Sequence, residues 1–128
     1  MIKVLKFVFY ISVLFLIITS LYPGSLIGLV LYGDLSLQPN LVKNPFGTTI
    51  NHFIAYFYIS ILGFFLYLEK EKLSLVLRGL IFLSISLEVL QFIVPNRSFQ
   101  IGDLIGNIFG VMLAYFIIKI YLWFKKYG

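Results

Sequence analysis

Between Glu88 and Gly110 the sequence brings Glu88, Gln91, Arg97, Asp103 and Asn107 to the junction of two long apolar runs, in a chain with only five acidic residues. A carboxylate inside such a run costs a few kcal/mol unless it is paired, protonated or open to water. Residues kept at that cost point to proton exchange, to headgroup binding or to an obligatory ion pair. His52, the single histidine, opens an earlier apolar run in which Tyr56, Ser60 and Gly63 follow on the same helical face. Glu88 and His52 are therefore the candidates for proton exchange. Arg97 is the candidate to hold an anion or to bridge Glu88 and Asp103, because its planar fork binds two acceptors and keeps its charge. Asp103, Asn107, Gln91 and Tyr56 are the residues expected to orient a bound head group. Each also has a plainer reading: Asp103 as a helix-dipole partner, Asn107 as an interhelical link, His52 as an interfacial hydrogen-bonding group and Tyr56 as packing.

The elements that must position these groups are membrane helices. With 61% hydrophobic and 12% charged residues, the 128-residue chain lies far from the composition of soluble domains. The lack of cysteine excludes a disulfide framework, a thiolate metal site and a cysteine nucleophile. One histidine with two carboxylates on separate helices is too thin a ligand set for a metal, so no metal site is expected. No glycine loop cradles a phosphate and no cofactor is expected. The net charge of +5 finds no solvated basic face, which argues against nucleic acid.

Apolar runs predict four transmembrane helices in a compact all-α bundle forming one domain over 1–128, with spans at about 4–22, 51–68, 73–94 and 103–124. The first run is too long for a signal peptide and lacks the small residues of a cleavage site. Residues 23–50 form a loop broken by glycine and proline, whose apolar piece Ser25 to Tyr32 is too short to cross and belongs at the interface. Thr48 or Asn51 is expected to cap the second span, and Glu69-Lys70-Glu71-Lys72 to form a short aqueous turn after it. Pro95 closes the third span. In the fourth, Gly102, Gly106, Gly110 and Ala114 recur every fourth residue, a ridge on which another helix can approach closely. With both termini cytoplasmic, only Lys43 and Arg97 among the basic residues lie outside, which satisfies the positive-inside pattern. His52, Glu88, Gln91, Arg97, Asp103 and Asn107 then share the outer side of the membrane.

His52-Phe-Ile-Ala-Tyr56, Glu88-x-x-Gln91, Pro95-x-Arg97-Ser98-Phe99 and Asp103-x-x-x-Asn107-x-x-Gly110 together resemble the ordered motifs of the VanZ-like family of small bacterial membrane proteins. The resemblance is firmest over Asn51 to Gly110. It implies a multi-pass protein of the bacterial cytoplasmic membrane, acting in the cell envelope, with a family link to resistance against the glycopeptide antibiotic teicoplanin. The family positions carry over to His52, Tyr56, Glu88, Gln91, Arg97, Asp103 and Asn107. One departure stands out: where the family usually has an Asp-Lys pair, four and three residues before the histidine, this chain has Thr48 and Thr49.

Three functional expectations follow. In the first, an outer-leaflet site binds, and in its stronger form modifies, a membrane lipid or lipid-linked envelope precursor. In the second, the polar layer is a non-catalytic lock on the helix bundle and the protein works through partners. The third is a small transporter, for which Ser60 and Ser84 are the only polar groups continuing inward.

Overall fold

A computed structural model describes residues 1–127. Five helices follow one another: α1 (Ile2–Leu21), α2 (Leu26–Tyr32), α3 (Thr49–Leu66), α4 (Lys70–Leu90) and α5 (Ile101–Tyr127). All but α2 are long and apolar enough to cross a membrane. At 1.5 Å per residue α3 is about 27 Å long, close to the ~30 Å of bilayer hydrocarbon. The four long helices alternate in direction along the chain, so the C-terminal ends of α1 and α4 meet the N-terminal ends of α3 and α5 at one end of the bundle. Tyr10 and Tyr67 bring hydroxyls within 2.9 Å near the other end, where Lys6 also lies over the Tyr67 ring.

The tightest seam joins α3 to α5, which run parallel. Gly106 and Gly110 let the two backbones touch: a Cβ on either would lie 2.6 Å from a carbonyl oxygen of α3, Thr49 O and Phe53 O respectively. A Cβ on Gly102 would lie 2.9 Å from the Thr49 hydroxyl, and Ala114 continues the ridge in a fully buried position. The ridge expected from small-residue spacing is thus the α3–α5 contact itself. Around it Tyr56, Ile59, Phe64, Leu80, Leu87, Val111 and Ile118 fill the core. By contrast α1 buries only Phe9 and Leu16, with the Phe9 ring seated on Gly63 of α3. Val13, Ile17 and Leu21 pack partly buried against the core, whereas Phe7, Leu14, Phe15 and Ile18 are exposed, as lipid-facing residues are.

Several local expectations are corrected. The charged run does not form a turn after α3; Glu69 is the N-cap position of α4, and Lys70 to Lys72 are its first turn. Starting α4 there keeps these charges, and the first-turn backbone amides that no helix carbonyl reaches, at an exposed helix end. The third span stops at Leu90, not Val94. Phe92 and Ile93 bond only three residues back, to Val89 and Leu90, because the residue before Pro95 is pushed out of helical geometry. Neither proposed cap holds: Thr48 is the N-cap of α3 but makes no side-chain cap bond, and Asn51 lies inside the helix. Both side chains are used elsewhere.

Candidate functional site

The turn between α4 and α5 is set by its residue types. Pro95 and Asn96 occupy the central positions, Asn96 has φ +58°, and the Arg97 amide donates to the Val94 carbonyl at 3.2 Å. Such a turn favours proline first and a residue tolerant of positive φ second. It directs Arg97 back toward α1. There Nη2 donates to the Thr19 carbonyl at 2.6 Å and Nε to the Tyr22 carbonyl at 3.2 Å, while Gln91 Nε2 donates to the Ser20 carbonyl at 3.2 Å. A cation on these last carbonyls satisfies acceptors that α1 cannot satisfy itself and complements the negative end of its dipole. Arg97 is thus a partner of α1 and forms no ion pair with Glu88 or Asp103, a correction to the bridging expected from sequence. Burial pushes its guanidinium down from the ordinary arginine range, while the charges of Glu88 and Asp103 act in the opposite direction.

Asp103 is instead paired with α3. His52 Nε2 lies 3.3 Å from Asp103 Oδ2, and His52 Nδ1 lies 3.1 Å from Asn107 Oδ1. The Thr48 hydroxyl donates to Asp103 with both carboxylate oxygens at 3.2 Å, and the Thr49 hydroxyl donates to Oδ1 at the same distance. The sequence makes this cluster possible because Thr48, Thr49 and His52 share one turn of α3, as Asp103 and Asn107 share one face of α5. The glycine ridge then brings the two turns together. Both ring nitrogens of His52 meet oxygens, so a doubly protonated ring can donate to both.

Glu88, in the last turn of α4 and only 1% exposed, accepts the Gln100 amide at 3.1 Å. That amide immediately precedes α5, so the carboxylate secures the chain where the fourth span begins. His52, Asp103 and Arg97 are all near enough for their charges to act on it.

A cavity of about 120 Å³ opens beside this network, between the end of α1, α2, the loop and the start of α3. His52, Tyr56, Gln91 and Arg97 line it; Glu88, Asp103 and Asn107 do not. The candidate residues therefore divide into a lining layer and a layer behind it. Ser25 also lines the cavity and caps α2 by accepting the Gly28 amide at 3.0 Å. Asn51 forms part of the wall and holds the loop, donating to the Pro39 carbonyl at 2.8 Å and accepting the Leu41 amide at 2.9 Å. Tyr56 is only 2% exposed, and its hydroxyl has no hydrogen-bond partner. Ser60, one turn further along α3, is likewise buried without a partner, whereas Ser84 donates to the Ile81 carbonyl of its own helix. Sequence reasoning named Asn51 as a candidate cap rather than as an anchor for the loop, and missed Ser25 and the carbonyls of Thr19, Ser20 and Tyr22. Backbone acceptors carry no residue-type signal, so only the end of α1 being near Arg97 could have revealed them.

The family model described as VanZ/LLP1 matches residues 7–123. The chain belongs to the VanZ/LLP1 family. No curated protein and no solved structure matches it. The VanZ/LLP1 match takes in the polar cluster, the cavity lining and nearly all of the four long helices. Within that frame the departure at Thr48 and Thr49 has a structural meaning: two neutral hydroxyls donate to Asp103 where the family resemblance leads one to expect a charged pair. His52 is then the only basic side chain within ion-pair distance of Asp103 among the described residues, and the contact is an ion pair only when the ring is protonated.

Proposed function

We propose that this VanZ/LLP1-family protein sits in the bacterial cytoplasmic membrane with both termini inside and binds, at its outer end, an amphiphile with a polar or anionic head. The ligand class is a membrane lipid or a lipid-linked envelope precursor. One observation carries the reading: a cavity with a guanidinium in its wall lies directly beside α2, whose Val30, Leu31 and Tyr32 are exposed apolar residues. The volume is several times the ~10–15 Å³ that one water needs, enough for a polar fragment, while the flanking apolar surface suits acyl chains. Arg97 uses one N–H of Nε and one of Nη2 on α1, and its remaining donors are available to an anion. In the stronger form of the proposal the ligand is modified, with Glu88 and His52 exchanging protons behind and beside the head group.

The test is native mass spectrometry of lipid retained by purified protein, comparing wild type with Arg97→Lys. A lysine keeps the charge but loses the fork, so bound lipid should fall about tenfold. Equal occupancy in a folded Arg97→Lys variant would remove the proposal. The family link to teicoplanin is tested separately, by expressing both proteins in a sensitive bacterium. It predicts reduced susceptibility with wild type and none with the variant.

A second reading is favoured by the number of helix-to-helix bonds in the same layer: the network serves chiefly to lock the bundle. It predicts that Asp103→Asn lowers the melting temperature in detergent in proportion to any lost function. The binding reading predicts lipid loss on Arg97→Lys with little change in melting temperature.

A further inference from the structure

We infer that the outward face of α5, at the end of the bundle opposite the cavity, carries a second site: a groove that holds an anionic phospholipid of the leaflet on that side. The site shares no residue with the cavity and does not rest on the amphiphile reading. Tyr115, Phe116, Lys119, Ile120, Trp123 and Phe124 line a lateral groove of about 580 Å³. Phe116, Ile120, Trp123 and Phe124 are exposed, so in a bilayer this face meets acyl chains.

Lys119 is the one charged residue in the lining, and its depth sets the problem. Gly110 abuts Phe53 and Phe57 of the parallel helix α3. Nine residues further along both helices, Lys119 lies level with residues 62–66, the last turn of α3 and still inside its apolar length. An exposed ammonium at that level must reach water or a counter-charge. The protein supplies none, because the acid–base contacts among the described residues are His52 with Asp103 and Lys72 with Glu69. Lys119 Nζ lies instead 5.8 Å from the centre of the Tyr115 ring, a cation–π contact that still leaves N–H donors for an oxyanion.

The sign of the whole head group follows from the surroundings. Lys126, seven residues on, falls on the same face of α5, and Lys125 adjoins it. Of the ten basic residues all but Lys43 and Arg97 belong to this half of the chain's length across the membrane, against only Glu69 and Glu71 among the acids. A zwitterionic lipid would bring its ammonium group beside these lysines with no carboxylate in the lining to receive it. An anionic head brings only charge that they attract.

Trp123 is the single tryptophan, so its fluorescence reports lipid contact in this groove alone. The test is quenching of Trp123 in full-length protein reconstituted into mixed phosphatidylcholine and phosphatidylglycerol vesicles, with brominated chains on one lipid or the other. Wild type should favour phosphatidylglycerol about fivefold, the effect of one lysine near an anionic head. Lys119→Gln should bring the ratio close to one, while Lys3→Gln, at the same end but on α1, should keep it. Arg97→Lys, at the opposite end, should leave the ratio unchanged, which separates failure of this site from failure of the cavity. Equal quenching by both lipids in wild type overturns the inference and makes the aromatic residues an ordinary interfacial belt. An equal fall in Lys119→Gln and Lys3→Gln overturns it in favour of a diffuse field from that end. Quenching by neither lipid, with a dimer in native mass spectra, overturns it by assigning the groove to a second copy of the chain.

Discussion

The α3–α5 seam and the end of α1 are both walls of the polar layer, and they are built in opposite ways. In the seam, glycines bring one backbone against another, and Asp103, His52 and Asn107 are locked into the contact. At α1 only Phe9 and Leu16 are buried, and the helix end is held by side chains of Gln91 and Arg97 on its last carbonyls. One wall is fixed by shape, the other by a few polar bonds. A cavity between them has a rigid side that presents Tyr56 and His52 and a side whose closure depends on Arg97. Local opening should therefore begin at α1, the wall with few buried contacts.

The comparison is broken most severely at Gly110. Gly110→Leu puts a side chain where a Cβ already lies 2.6 Å from the Phe53 carbonyl and 2.9 Å from the Phe57 amide. Backbone cannot yield as a flexible side chain can, so the variant should lose at least about 3 kcal/mol and much of its folded yield, read by thermal melting in detergent. A melting temperature near wild type would mean that the seam is not the rigid wall. Arg97→Met should have a smaller and more local effect. It removes both bonds to α1 and should cost about 1–2 kcal/mol, with amide exchange of Thr19 to Tyr22 accelerating while that of Phe53 to Phe57 stays unchanged. Equal acceleration in both walls would erase the distinction. The smallest effect is expected at Gly79 in α4, where a Cβ would meet nothing within 4 Å. Gly79→Ala should stabilise by about 0.5–1 kcal/mol through helix propensity alone, which separates the cost of filling the seam from any general effect of replacing glycine.

Much of this arrangement is legible along the chain, for reasons particular residues make plain. The spacing of Gly102, Gly106, Gly110 and Ala114 marks a close helix contact, and the partner turns out to be α3. The charges at Glu69 to Lys72 mark a span boundary, but not whether they end one helix or begin the next, because a short charged segment is compatible with either. Arg97 was expected to seek a carboxylate. It satisfies main-chain carbonyls of α1 instead, acceptors that residue identity does not advertise. Thr48 and Thr49 look like a loss when set against the family pattern, yet their hydroxyls lie on the His52 turn and reach Asp103.

Hydropathy alone determined that four segments of this protein are suited to cross a bilayer, because a chain of this composition has nowhere else to satisfy so much apolar surface and so many backbone amides at once. Helical periodicity likewise determined which polar residues share a face within each segment. Which segments touch is a matter of how helices separated by tens of residues pack, and only the tertiary structure decided it. That packing put His52 against Asp103, turned Arg97 onto α1, kept Glu88 behind the cavity wall and buried the Tyr56 hydroxyl without a hydrogen-bond partner.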